Sequence, residues 1–191
     1  MYDLTDTQLE LKARAHELTE SNLHKRAAEY DETEEYPWDT IQDLVDCGFM
    51  GMTIPEEYGG PGLGFLETAL VIEEVSRACG STGRIVTEGN MGAIAAIMAY
   101  GSEEQKRISA ELVLAGDKPA LCMTEPEAGS AATAMTTKAV KNGEVYVING
   151  LKHWITGGAD VAKLHLILAR VEEEGEDQGI GGFIVVHEGT T

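Results

Sequence analysis

Two short runs hold the residues whose types and spacing could do chemistry. The first is Leu121-Cys122-Met123-Thr124-Glu125-Pro126-Glu127-Ala128-Gly129-Ser130. It reads as an apolar start, a hydroxyl, a carboxylate, a Pro break and a tight Ala-Gly-Ser turn. Such a turn points backbone amides outward beside the Ser130 hydroxyl, which suits an anion such as a pyrophosphate. The second run is Lys152-His153-Trp154-Ile155-Thr156-Gly157-Gly158. It offers a flat indole and, two residues on, a Thr hydroxyl on the same face of an expected strand. An indole beside hydrogen-bonding groups can stack on a planar aromatic ligand. Together the runs suggest a site for a flat cofactor with a phosphate tail. The competing reading is a strand ending in a turn, followed by a buried Trp.

The elements that must position these runs change character along the chain. The capping box Thr5-x-x-Gln8, with Leu4 and Leu9 as a hydrophobic staple, opens a helix to about residue 30. Leu11, Ala15 and Leu18 line its inner face. A second helix runs from Trp38, after Pro37, to Cys47, and Gly48 supplies the stop. Residues 52–62 form a glycine-rich connector. It has neither GxGxxG spacing nor a P-loop lysine, so it reads as a turn-rich loop. A third helix covers about 65–79, with Leu66, Ala69, Leu70 and Val75 expected inside. A fourth covers about 83–100 and is apolar enough to be deeply buried. It nevertheless carries Arg84, Glu88 and Asn90, which call for an explanation. A fifth starts at the capping box Ser102-x-x-Gln105 and ends before Gly116.

Near Asp117-Lys118-Pro119 helical periodicity gives way to short β-rich runs at 120–123, 136–140, 144–148, 164–169 and 183–186. Asn142-Gly143 predicts a hairpin turn. The acidic stretch Glu172-Glu173-Glu174-Gly175-Glu176-Asp177 reads as a solvated loop.

The 191 residues carry a net charge of −19 and are 43% hydrophobic, enough for one or two packed domains. That charge argues against nucleic acid and anionic membrane as partners, and an anionic ligand such as a phosphate-tailed cofactor would need local donors. No run of 18 apolar residues is present, so no membrane insertion is expected. Cys47, Cys79 and Cys122 fit reduced thiols in a cytoplasmic protein. The five His residues show no ligand spacing, and no metal is expected.

The run Thr124 to Ser130, followed by Ile148-Asn149-Gly150-Leu151-Lys152-His153-Trp154-Ile155-Thr156-Gly157-Gly158, closely resembles the flavin-binding middle domain of the acyl-CoA dehydrogenase family. Ile54-Pro55-Glu56-Glu57-Tyr58-Gly59-Gly60-Pro61-Gly62 matches a landmark of the family's helical domain, so the resemblance spans essentially the whole chain. It implies an α+β multidomain fold. An all-α N-terminal domain (1–117) would precede a partial, flavin-binding β-domain (118–191), an incomplete β-barrel-like unit. The family's C-terminal four-helix domain, which carries the usual catalytic glutamate and much of the tetramer interface, is not in this chain. No catalytic residue is therefore expected here, and the base is expected beyond Thr191. The implied cofactor is FAD. The implied activity is α,β-dehydrogenation of a short-chain acyl-CoA thioester, with a hydride passing to flavin N5 and electrons to an electron-transfer flavoprotein. A homotetramer or homodimer is implied for the full-length protein.

By the same resemblance Leu121, Met123, Thr124, Gly129, Ser130, Trp154, Ile155 and Thr156 would hold the FAD. Ser130 would also lie near the cofactor phosphate or the CoA arm. The alternatives are cap hydroxyls for Thr124 and Thr156 and a core indole for Trp154. The family usually has Gly-Ser-Asp where this chain has Gly129-Ser130-Ala131, which removes a hydrogen-bond acceptor from the turn. Arg84 aligns to the pocket face of its helix. A buried guanidinium needs an anion. That anion is either Glu88, at i+4, or an anionic group ending a short acyl chain, which a guanidinium captures in bidentate fashion. Arg84, Ala131, Tyr36-Pro37-Trp38 and Lys163-Leu164-His165-Leu166 together resemble one branch of the family, the 3-sulfinopropionyl-CoA desulfinases. These release sulfite without net oxidation, so desulfination is the alternative activity. A third possibility is a half-length, partner-dependent subunit that completes its flavin site only with another chain.

Overall fold

A computed structural model describes residues 3–158 and 161–187. The chain divides into two compact units, residues 1–118 and 119–191.

The first unit is helical. Helix α1 (Asp6–Leu18) starts at the expected capping box, with the Thr5 hydroxyl accepting from the Gln8 amide and the Gln8 side chain answering the Thr5 amide. It runs through one π-helical turn (Thr19–Leu23) into α2 (His24–Thr33). Helix α3 (Trp38–Asp46) ends before Gly48, whose φ of 71° provides the stop. Helix α4 spans Phe65–Ser76 and α5 spans Gly80–Asn90. They pack so closely that a Cβ on Gly83 would lie 2.0 Å from the Ser76 hydroxyl. Helices α6 (Ala93–Tyr100) and α7 (Glu103–Leu114) follow, the latter from the second capping box. Phe49, Leu44, Leu23, Met52, Val71, Val75 and Val86 form the main core.

Two expectations fail here. The helix expected over 83–100 is broken at Met91-Gly92, where Gly92 takes φ 64°. The cause is Asn90, fully buried at the end of α5. Its amide donates to the Phe49 and Val86 carbonyls and accepts from the Met52 amide, while the Thr53 hydroxyl bonds the Asn90 carbonyl. The connector backbone thus takes the place of a further helical turn. On α4 the buried face is Thr68, Leu70, Val71, Glu74 and Val75, whereas Leu66 and Ala69 lie outside. Helical spacing fixes which residues share a face, not which face turns inward.

The second unit is a mixed five-stranded sheet: β1 (Ala120–Cys122), β2 (Lys138–Asn142), β3 (Val145–Asn149), β4 (Leu164–Glu173) and β5 (Glu176–Val186). Strand β4 is central. Strand β1 pairs in parallel with its first half (Ala120 opposite His165) and β2 with its second (Lys138 opposite Arg170). Antiparallel β5 runs along its whole length. Strands β2 and β3 form the hairpin expected at Asn142-Gly143. The acidic stretch is not a loop between strands. It is the β4–β5 hairpin itself, with Glu173 paired to Glu176 across Glu174 (φ 52°) and Gly175 (φ 84°). Two successive positive φ values match the right-handed strand twist, so the ladder continues to the tip.

Asn90→Ala would remove the side-chain acceptor of the buried Met52 amide and the side-chain donor to the Phe49 and Val86 carbonyls. It is expected to destabilise the helical unit by about 2–4 kcal/mol, read as a lowered midpoint in urea denaturation followed by circular dichroism.

Candidate functional site

Strand β1 delivers the chain into a tight turn in which the Glu125 amide donates to the Ala128 carbonyl and the Ala128 amide returns to Glu125, both at 3.1 Å. Pro126 and Glu127 form the exposed tip. The Glu125 carboxylate turns inward, with its side chain 3% exposed. It accepts from the Thr136 amide (2.6 Å), the Thr136 hydroxyl (2.8 Å), the Thr137 amide (2.9 Å) and the Lys152 ammonium (2.9 Å). Burial by itself raises the pKa of this group. Donation from Thr137, the Thr136 amide and Lys152 outweighs it and holds the carboxyl far below its ordinary value of 4.5.

Lys152 also donates to the Met123 carbonyl at 3.0 Å, and the His153 amide donates to the Thr124 carbonyl at 2.8 Å. The two runs singled out in the sequence are therefore fastened side by side. Neither Glu125 nor Lys152 was among the candidate residues, although both are charges inside otherwise apolar or turn-forming motifs. That was the available signal.

Around this staple the candidate residues take different positions. Leu121 and Trp154 are exposed, at 38% and 82%. Gly129, Ser130 and Thr156 are exposed, and Met123, Thr124 and Ile155 are partly covered. Residues 152–158 are not a strand but a loop and turn, so Trp154 and Thr156 do not share a strand face. Trp154 adopts φ 59°, stacks on His153 with ring centroids 4.5 Å apart, and is not a core residue. Ile155 is the member that packs inward, against Ala120, Cys122 and Ala162. A non-glycine residue in the left-handed region with its indole in solvent is held there by its surroundings. The described set is thus an exposed indole and leucine, exposed Ser130 and Thr156, and a Gly129 whose Cβ position opens on empty space. That chemistry fits a planar ring with a polar tail.

In the helical unit Arg84 is not buried as expected: its side chain is 58% exposed. Its Nε and Nη2 both meet one oxygen of Glu88 at 2.6 Å. The other Glu88 oxygen accepts from Lys118 at 2.5 Å, and the Lys118 side chain is only 2% exposed. One carboxylate therefore holds two cations. Lys118, absent from the candidate list, lies 30 residues from Glu88. Tyr36 borders this cluster. Its hydroxyl is buried without a hydrogen-bond partner among the described residues, and burial, with Asp117 and Glu88 adding to it, pushes its pKa up.

Family models describe the chain almost end to end: the acyl-CoA dehydrogenase N-terminal domain matches residues 5–117 and the middle domain residues 120–191. The chain belongs to the acyl-CoA dehydrogenase family. It is 58% identical to a 3-sulfinopropanoyl-CoA desulfinase of Variovorax paradoxus, over 99% of this chain and 47% of that protein. It is 56% identical to a desulfinase of the same name from Advenella mimigardefordensis, over 97% of this chain and 46% of that protein. Butyryl-CoA dehydrogenase from Megasphaera elsdenii shares the fold at a TM-score of 0.88 and 28% identity, covering 98% of this chain and 50% of that one. The chain spans about half the length of these family members. A helical unit followed by a sheet-containing unit is the family's arrangement, as its motifs implied. No helix among the described residues is long and apolar enough to cross a membrane.

Because the folded state depresses the Glu125 pKa, the ionised group stabilises the fold above its unfolded value near 4.5 and loses that contribution as pH falls. Glu125→Gln is expected to destabilise the protein by about 3 kcal/mol near neutral pH. The gap from the unmodified protein should narrow progressively below about pH 4.5. Urea titrations at several pH values check this, and a gap independent of pH would show that the carboxylate charge is not what matters.

Proposed function

We propose that these residues belong to a FAD-dependent acyl-CoA enzyme that removes sulfite from 3-sulfinopropanoyl-CoA (3-sulfinopropionyl-CoA). The observation that carries this reading is the identity pattern. Two relatives bearing the desulfinase name are more than half identical over nearly the whole chain, whereas butyryl-CoA dehydrogenase, alike in fold, is 28% identical. The reaction balances without an external oxidant. The carbon–sulfur bond breaks with its electron pair left on carbon, which takes a proton. The sulfur leaves as sulfur dioxide and adds water to become sulfite.

Leu121, Met123, Ile155 and Trp154 would supply the apolar surface for the cofactor ring. Thr124, Gly129, Ser130 and Thr156 would supply hydroxyls and amides for its polar edge and tail, with Ser130 also near the CoA arm. The chemistry FAD supplies when bound is that of a flat ring able to accept a hydride at N5, which the dehydrogenase members use. The staple from Glu125 and Lys152 fastens the two motifs side by side, which supports their serving one ligand. Arg84, with Glu88 beside it, would take the anionic end of the acyl group. Its Nε and Nη2 are the atoms that meet Glu88, and a planar guanidinium can bind a sulfinate through two parallel hydrogen bonds.

The second reading is α,β-dehydrogenation of a short-chain acyl-CoA, with electrons passed to an electron-transfer flavoprotein. The likeness of the fold to butyryl-CoA dehydrogenase favours it. The two separate in one assay on the protein made from its complete gene. Given 3-sulfinopropanoyl-CoA and no electron acceptor, the desulfinase forms free sulfite and leaves butyryl-CoA with a dye acceptor unreacted. Dye reduction without sulfite would make the enzyme a dehydrogenase. Arg84→Ala is expected to raise KM for the sulfinate substrate about tenfold or more while leaving binding of butyryl-CoA unchanged. Equal effects on both would reduce Arg84 to the ion-pair partner of Glu88.

A further inference from the structure

Glu88 holds two cations of opposite exposure, Lys118 buried and Arg84 at the surface. We infer that Lys118 is a positioning residue for Arg84, acting through Glu88; the inference rests on the reading of Arg84 as the receptor for an anionic acyl terminus. Lys118 lies almost wholly out of solvent, with its ammonium 2.5 Å from Glu88 Oε2. Glu88 is itself largely covered, its side chain 14% exposed, and its Oε1 takes the Nε–Nη2 edge of Arg84. A buried ammonium needs an anion close by, so Lys118 fixes where the carboxylate sits. Glu88 in turn fixes the plane of the guanidinium through two donors to one oxygen. It does so with a charge already shared with Lys118. Were Lys118 neutral, the whole carboxylate charge would fall on Arg84 and compete with any incoming anion. With Lys118 in place Arg84 is held in orientation without being neutralised, and its outer edge stays positive toward solvent. In a chain of net charge −19 such local positive character has to be built.

The test measures equilibrium binding to the full-length holoenzyme by titration calorimetry. The probes are succinyl-CoA, which ends in a carboxylate and has no sulfinate to lose, and butyryl-CoA, which ends in a methyl group. The unmodified enzyme should prefer succinyl-CoA, and Arg84→Ala should abolish that preference. Lys118→Met should weaken succinyl-CoA about tenfold and leave butyryl-CoA unchanged. The double variant Lys118→Met/Glu88→Gln should regain the preference, because the competing charge is gone. No preference in the unmodified enzyme would overturn the reading of Arg84 itself, and this inference with it. A preference lost in Arg84→Ala but kept in Lys118→Met would overturn the inference alone. So would a double variant that stays as weak as Lys118→Met, which is what a merely structural lysine produces. If Lys118→Met does not fold, Lys118→Arg decides: a second cation still shares the Glu88 charge, so the preference for succinyl-CoA should be retained, and its loss would overturn the inference.

Discussion

A single ionised carboxylate holds the β-unit's candidate site together. Glu125 is drawn from water and surrounded by four donors from two threonines and a lysine. Removing a carboxylate from water is expensive, and only close to complete satisfaction of its lone pairs makes it tolerable. The geometry that satisfies it leaves little freedom. The turn after β1, the residues entering β2 and the Lys152 loop must all approach one point. The exposed residues of both motifs are by-products of that convergence. Leu121, Ser130, Trp154 and Thr156 are each exposed while the charge between their segments faces inward.

The helical unit uses the same physics in another form. Glu88 is again a largely covered carboxylate with a buried lysine, but it has one exposed partner as well. The Glu125 side chain is 3% exposed and its charged partner Lys152 11%, so that pair is turned inward and fastens backbone segments, whereas Glu88 reaches from the interior to the surface. A network with one member at 58% exposure presents a charge to solvent in a fixed orientation, which is what recognition of a small anion requires.

What could be read in the sequence was what is decided within a few residues. Both capping boxes, the Gly48 stop and the Asn142-Gly143 hairpin depend on neighbours three or four positions away, and each formed as expected. The break between α5 and α6 could not be read, because Asn90 is claimed by the connector some forty residues earlier. On α4 Leu70 and Val75 are buried as expected, but Leu66 and Ala69 are not, because apolar positions look alike until the neighbouring helices are placed. The acidic β4–β5 tip is a tight hairpin despite its charge, because Glu174-Gly175 takes two successive positive φ values that composition does not reveal.

The candidate site shows the same division. Its motifs were visible because their residue types are unusual together, and the family they resemble is the one to which the chain belongs. Their fastening was invisible, since Glu125 and Lys152 are 27 residues apart. Trp154 is the instructive case. As part of an apparent β-rich run it invited a place on a strand or in the core. The Lys152 and His153 bonds to the first motif instead pull the chain into a loop, and the indole is carried into solvent at a positive φ. Beyond its stacking on His153, a large apolar ring in that position gains little from folding of this unit, since it stays 82% exposed. The flat ring proposed above would cover it.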